Sequence, residues 1–423
     1  DAPPAEPIRC TSAAPSPGTA FHELQRGSPV QGTVHPSFAH VATVFGRQLS
    51  RTSGGAAVAV YRQGELVVDL WGGERAPGVA WGPDTLAMSF STTKGVASTA
   101  LHLLAERGLL NYDDTVATYW PEFAQGGKAE LTIEHLLTHS AGLHRIRTLV
   151  DHSRRMLDWD AMVAALAAAT PAYEPGTANG YHALTYGWLV GEVIRRVDGR
   201  DIRTFVNDEL AKPLGLNGLF IGCPPEERHR ATLPGKVGID LVSQNPRARR
   251  LQKKVGFQLG RAVTAARFPF DPRRAVNALV PRGLGNLFWS EEVMDVAIPA
   301  ANGFFDARSL ARMYALLAEG GTLDETTLFE PARIATMGEI RSTRRDLVLG
   351  FPMRWRRGYH LVGSSRGIIH SGFGHFGFGG SGAWCDPSRR LAVAMVCNRG
   401  SGTPVGDMRL LALNSAIMKS LHN

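Results

Sequence analysis

Apolar residues follow two different rhythms along this chain of 423 residues. Near the N-terminus, the segment 54–73 carries two apolar runs on either side of Arg62-Gln63-Gly64-Glu65. Short runs around a polar, Gly-containing tetrad predict a β-hairpin. The C-terminal end repeats this pattern. There, 380–385 and 391–397 flank Asp386-Pro387-Ser388, and 408–421 has the apolar spacing of an amphipathic helix. Between the two ends the period becomes helical, at 184–197 and 309–320, with Pro/Gly-rich loops between. The segment 88–108 also reads as a helix, with Val96, Ala100, Leu101, Leu103 and Leu104 on one spacing and Gly108 as its stop.

Strands at both ends with helices between predict an α+β fold, an antiparallel sheet flanked by helices and interrupted by a mainly helical domain. The expected division is a flexible arm over 1–20, a sheet domain from 21–112 plus 336–423, and a helical insertion over 113–335. The arm is rich in Pro, Ala and Ser. Asp1 stands where a Met would begin a fresh translation product, as after removal of a leader or trimming, so cytoplasmic and exported locations both stay open. A small-molecule site is expected in the cleft between the two domains.

Composition narrows the classes. With 44% hydrophobic and 20% charged residues, the chain suits a soluble globular enzyme. No apolar run approaches the roughly 18 residues that would span a bilayer. The four cysteines (Cys10, Cys223, Cys385, Cys397) show neither CxxC pairs nor metal-ligand spacing, which argues against zinc and a disulfide framework. The Cys385 to Cys397 interval fits a hairpin. Much of the net charge of +8 comes from Arg247, Arg249, Arg250, Lys253, Lys254, Arg261, Arg267, Arg273 and Arg274. No nucleic-acid motif accompanies them, so they read as a solvated face, with contact to an anionic surface as the lesser reading.

Candidate chemistry centres on Ser91-Thr92-Thr93-Lys94, the single place where a serine precedes a lysine by three residues. On a helix these two side chains share a face. A desolvated lysine can take a serine's proton, and the free N–H groups of a helix's first turn favour the negative oxygen that follows. Gly363-Ser364-Ser365-Arg366-Gly367 fits GxSxG, but a glycine-rich stretch follows where that motif needs a helix, so the match is read as chance. His135 and His139 lie four apart without an HExxH context, and no metal is expected there.

Five separate stretches, in order, resemble one family, the serine β-lactamase-fold hydrolases. The likeness is nearest the class C branch with penicillin-binding proteins and family VIII carboxylesterases. Ser91-Thr92-Thr93-Lys94 matches SxxK. The segment 131–143 is similar to the LLTHTSGL segment, and Tyr181-His182-Ala183 to YxN. Pro299-Ala300-Ala301-Asn302-Gly303 resembles the stretch at the pocket edge. His375-Phe376-Gly377, within 373–381, stands for the KTG strand. The resemblance implies a β-lactamase/transpeptidase-like fold and no cofactor. It implies Ser91 as nucleophile and Lys94 with Tyr181 as base, Lys94 lowering the phenol's pKa. The backbone N–H groups of Ser91 and Phe378 would form the oxyanion hole, with Gly377, Gly379 and Gly380 along a strand that admits substrate.

Two departures steer the substrate. Ala183 removes the YxN amide, and His375, mostly neutral near pH 7, replaces a cation that would attract a carboxylate. A small neutral ester is therefore expected. A β-lactam, a D-amino peptide, an amide, an acyl-transfer acceptor and non-catalytic ligand binding stand as alternatives. Val255, Phe257, Phe268, Phe270, Leu284, Leu287, Phe288 and Trp289 wall an acyl or alcohol pocket, or are ordinary core.

Overall fold

The hairpin expected at 54–73 forms from strands Gly55–Arg62 and Glu65–Ala76. Its two-residue turn places Gln63 (φ 55°) and Gly64 (φ 81°) in the left-handed region, the backbone a type I′ turn requires. This computed structural model describes residues 22–23, 29–235, 272–400, 403 and 406–421. The 1–20 arm, most of the basic stretch, and Val255, Phe257, Phe268 and Phe270 lie outside the described residues. Arg273 and Arg274 lie on the helix Pro272–Leu279.

One antiparallel sheet organises the molecule. In space its strands run His22–Glu23, Gln31–Val34, Glu65–Ala76, Gly55–Arg62, Leu391–Cys397, Gly382–Asp386, Gly367–Phe376 and His360–Ser364, with Val79–Ala80 beside Glu65–Ala76. Leu391 pairs with Arg62 and Cys397 with Ala56, so the two ends of the chain meet at the sheet's centre. Strand alternation sorts the side chains onto two faces. Val58, Val60, Val393 and Met395 pack with Val41 and Phe45 of the helix Ala39–Leu49 and with Leu413 and Ile417 of the helix Met408–Ser420. Ala57, Ala59, Ala392 and Ala394 face the opposite core, where their small size lets the helix Ala307–Ala318 lie close across the strands. Each fully buried Val or Leu contributes about 1.5–3 kcal/mol to this packing.

Helices Thr185–Asp198 and Ala307–Ala318 fall where the apolar spacing predicts them. Gly199 (φ 93°) ends the first, and Asp306 caps the second by accepting the Ser309 N–H at 2.6 Å. The reading of 88–108 needs correction, because the helix begins only at Thr93 and runs to Glu106. Leu86–Met88 is a strand instead, paired with Gly303–Phe305 and Ala231–Thr232, and Phe90–Thr92 is a 3-10 turn. Pairing with strands distant in sequence overrides the local helical spacing there. The middle of the chain thus contributes three strands, alongside Leu86–Met88, of a further four-stranded sheet as well as helices.

Other expectations resolve locally. Ser365 and Arg366 form the tip of the hairpin joining His360–Ser364 to Gly367–Phe376, and the Ser365 hydroxyl is 2.6 Å from that of Ser415. Cys385 and Cys397 sit on neighbouring strands, but in the cores on opposite faces of the sheet. Among the described residues, no helix is long and apolar enough to cross a membrane.

Candidate active site

The turn that carries Ser91, the candidate nucleophile, is built by clamping. Ser89 donates its N–H to the Gly303 carbonyl at 2.8 Å. Thr93 Oγ1 donates to the Phe90 carbonyl at 2.6 Å and accepts the Gly303 N–H at 2.8 Å. These bonds hold Phe90 at φ 45°, a conformation costing a bulky residue about 1–3 kcal/mol. Ser91 and Phe90 stay partly exposed while Thr92 to Ala105 are buried, so the turn reaches the surface just where the helix behind it sinks into the core. The 299–303 stretch, read from sequence as the pocket edge, is therefore also the brace of the nucleophile turn.

Lys94 is completely buried on the first turn of the Thr93–Glu106 helix. Its Nζ lies 2.9 Å from Ser91 Oγ, 2.6 Å from the Ala183 carbonyl and 2.8 Å from the Ala300 carbonyl. Burial drives its pKa well below the usual lysine value. A neutral amine carries two hydrogens and one lone pair. Both carbonyls can only accept, so in the neutral form the hydrogens go to them and the lone pair is left facing the Ser91 hydroxyl. This geometry brings the Lys94 amine directly to the Ser91 hydroxyl.

Tyr181 is also completely buried, with its ring centroid 5.0 Å from Lys94 Nζ. Burial pushes the phenol above its ordinary value, against the pull of the nearby Ser91. Its hydroxyl forms no hydrogen bond among the described residues. The expectation that Lys94 would lower this pKa is therefore corrected, since desolvation by burial is the largest influence on the phenol and raises it. The phenol stays protonated. The Tyr181 ring stacks on Trp355 at 5.7 Å and 16°, and meets His139 edge-on at 5.0 Å. Asp346 accepts its backbone N–H at 3.2 Å.

His375 is buried at 6.2 Å and 27° from the Tyr181 ring. Burial, together with His360 and Lys94 nearby, lowers its pKa well below the ordinary imidazole value, so the ring is neutral. Nδ1 lies 3.1 Å from the Phe376 carbonyl, which can only accept, and this leaves Nε2 with its lone pair. That Nε2 has no partner among the described residues.

Gly377 follows the last residue of the strand. A Cβ there would stand 2.3 Å from the Ser89 carbonyl and 3.2 Å from the Ser91 nitrogen, so the chain passes directly over the nucleophile turn. Phe378, partly exposed, carries the next N–H, and its ring meets Phe90 at 5.3 Å, nearly perpendicular. Phe90 in turn lies 5.8 Å from Phe288. The strand expected through 373–381 stops at Phe376, and Phe378–Gly380 is a tight turn. Gly379 (φ 87°) and Gly380 (φ 103°) supply its left-handed backbone rather than a strand edge. Of the proposed wall residues that are described, Leu287 and Phe288 are buried core, while Leu284 and Trp289 pack against it.

The 131–143 segment supports this centre from behind. His135 caps its own helix, accepting the Thr132 N–H at 3.1 Å. His139 Nδ1 accepts the His182 N–H at 3.1 Å, and the His139 carbonyl accepts the Gly180 N–H at 2.9 Å. The two histidines thus serve different partners. Sequence reasoning missed Asp346 and Trp355, which lie in no recognisable motif and meet Tyr181 only in space. It also missed the carbonyls of Ala183 and Ala300, since any residue type offers a carbonyl.

A family model described as Beta-lactamase matches residues 41–416. The chain belongs to that family. "Esterase/beta-lactamase LipL" of Mycobacterium tuberculosis is 38% identical over 379 residues, covering 88% of this chain and 84% of the relative. A solved penicillin-binding protein homologue from Caulobacter crescentus is 36% identical with a TM-score of 0.79, covering 92% of this chain and 99% of the other. A solved family VIII carboxylesterase is 34% identical with a TM-score of 0.78 and the same two coverages. This family member is a serine hydrolase with the β-lactamase/transpeptidase-like α+β fold.

Proposed function

We propose that this family member is a carboxylesterase for neutral, short-chain acyl esters, working through an acyl-enzyme on Ser91. The observation that carries the reading is the Lys94 amine, tied by two carbonyls so that its lone pair meets the Ser91 hydroxyl. Ser91 Oγ adds to the ester carbonyl while its proton passes to Lys94. The N–H groups of Ser91 and Phe378 take up the charge on the carbonyl oxygen. As the C–O bond breaks, the Tyr181 hydroxyl gives its proton to the departing alkoxide and is restored from Lys94. Water then repeats the sequence on the acyl-serine, releasing the acid.

The choice of a neutral ester rests on charge. His375 is an uncharged imidazole and Ala183 offers no amide, so a substrate carboxylate or side-chain amide finds no dedicated partner. Phe90, next to Ser91 in the chain, joins Phe288 and Phe378 in an apolar cluster that suits a small acyl group. A relative bearing the name esterase and a carboxylesterase structure agree with this choice.

Turnover of p-nitrophenyl butyrate and a chromogenic cephalosporin, measured side by side, tests it. The wild type is expected to cleave the ester readily and the cephalosporin little. Ser91→Ala is expected to lose ester turnover and Ser365→Ala to keep it. The reverse pattern in the two serine variants would remove the assignment.

The pH profile has a fixed sign. The base works as a neutral amine, so kcat/KM falls as pH drops through the depressed pKa of Lys94. Tyr181, raised by burial, stays protonated, so kcat/KM is expected to level off above the depressed pKa of Lys94 and to show no further rise through the ordinary lysine range. Activity that climbed tenfold per pH unit up to the ordinary lysine range would contradict the neutral amine.

A further inference from the structure

The loop holding Asp346 approaches Tyr181 from behind, far from it in sequence. Asp346 is fully buried, and every contact of its carboxylate is with a donor. Oδ1 accepts N–H groups from Tyr181 (3.2 Å), Val348 (2.8 Å) and Leu349 (3.0 Å), and Oδ2 accepts the Trp355 indole N–H at 3.1 Å. That indole is the plane on which the Tyr181 ring stacks, and its ring centroid also lies 4.2 Å from that of His139 and 6.1 Å from that of His360. A parallel bridge between Asn179 and Asp346 fixes the two loops to each other, with the Leu347 N–H donated to the Asn179 carbonyl at 2.8 Å. A buried carboxylate is costly unless fully satisfied, and here one group ties down both the backbone of Tyr181 and the ring that orients its phenol.

We propose that Asp346 is the positioning residue for Tyr181, acting through Trp355 as a carboxylate–indole–phenol relay of contacts that sets where the phenol hydroxyl stands relative to Ser91 and Lys94. This rests on the reading of Tyr181 as the proton donor to the leaving group. Asp346 touches no reacting atom. Its effect is on the precision of a proton transfer, where small displacements are expensive, and therefore on kcat rather than KM. Burial raises the carboxyl to about 6 against its four donors, so at about pH 8 it is ionised.

The geometry gives a test that a merely structural role would fail. In Asp346→Asn, the remaining carbonyl oxygen keeps the three backbone donors. The new amide nitrogen, however, points its hydrogens at the Trp355 N–H, donor against donor. Replacing Trp355 by Phe keeps a ring against Tyr181 and removes that N–H. Asp346→Asn is expected to lose roughly 30- to 100-fold in kcat for p-nitrophenyl butyrate at about pH 8, with KM within about twofold. Trp355→Phe in the Asp346→Asn background is expected to recover at least about tenfold of that loss. The folded fraction is followed by thermal unfolding in each sample.

Asp346→Asn with kcat within about twofold of wild type, or a loss that Trp355→Phe does not relieve, would overturn the proposal. If Asp346→Asn does not fold, Trp355→Ala decides the matter by removing both the stacking plane and the donor to Asp346 Oδ2. A kcat loss at constant KM supports the proposal, and unchanged kcat sinks it. Tyr181→Phe, run in parallel, separates the two levels. If that variant keeps full activity, the reading of Tyr181 fails. If it loses activity while Asp346→Asn does not, only the positioning role of Asp346 fails.

Discussion

Replacing Lys94 with methionine should lower kcat/KM for ester hydrolysis by about 10²–10⁴-fold, the usual contribution of a positioned general base. The argument is one of valence. In the wild type, Ala183 and Ala300 consume the two amine hydrogens, and the lone pair alone is left for Ser91. Methionine fills much the same buried volume but can neither accept a proton nor satisfy the two carbonyls. Relief from burying an ionisable amine partly offsets the orphaned carbonyls, each worth about 1–3 kcal/mol, so the fold is expected to persist. Lys94→Arg should be equally inactive. A guanidinium retains donors for both carbonyls but stays charged at any usable pH and offers no lone pair. Steady-state kinetics alongside thermal unfolding checks both variants. A Lys94→Arg enzyme within tenfold of wild type would show that a cation at this position suffices and that proton acceptance is not its role.

Gly377→Ala should cost about 10²–10³ in kcat, comparable to losing one oxyanion donor. Gly377 has φ −112°, a backbone any residue adopts, so glycine is required purely for space. The added methyl would stand 2.3 Å from the Ser89 carbonyl and 2.9 Å from Thr92 Oγ1, forcing the strand end off the nucleophile turn. The Phe378 N–H moves with it, away from where the oxyanion forms. Gly367→Ala is the fitting comparison, since its φ of 126° strains the backbone while its Cβ meets nothing within 4 Å. That variant should lose a little stability and no activity. Equal kinetic effects from the two changes would mean that Gly377 acts through stability alone.

Much of this molecule was legible because its signals are local. The Arg62-Gln63-Gly64-Glu65 turn and the apolar runs on either side of it announce a hairpin. The spacing of Ser91 and Lys94 announces that their side chains meet, and both features appear in the structure, with Ser91 on the 3-10 turn just before the helix that carries Lys94. What the sequence concealed was set by pairing at a distance. Leu86-Ala87-Met88 has no strand signature of its own and becomes one because Gly303–Phe305 lies alongside. Asp346 and Trp355 converge on Tyr181 from another part of the chain, and no spacing rule links 181 to 346 or 355. The direction of the Tyr181 shift was misjudged for the same reason. Proximity to Lys94 could be inferred from motifs, but the completeness of burial, which dominates both pKa values, could not. The glycines after His375 were read as one feature, yet Gly377 answers a steric need and Gly379 and Gly380 a conformational one.

The central claim is that Ser91 is the nucleophile, made reactive by a neutral lysine. Treatment with a p-nitrophenyl organophosphate, followed by peptide mass mapping, tests it most directly. The account predicts one phosphoryl group per chain, located on Ser91, with activity lost in proportion to labelling and labelling nearly absent in Lys94→Met. A label on Ser365 or any other residue, or ester turnover that survives complete modification of Ser91, would contradict it.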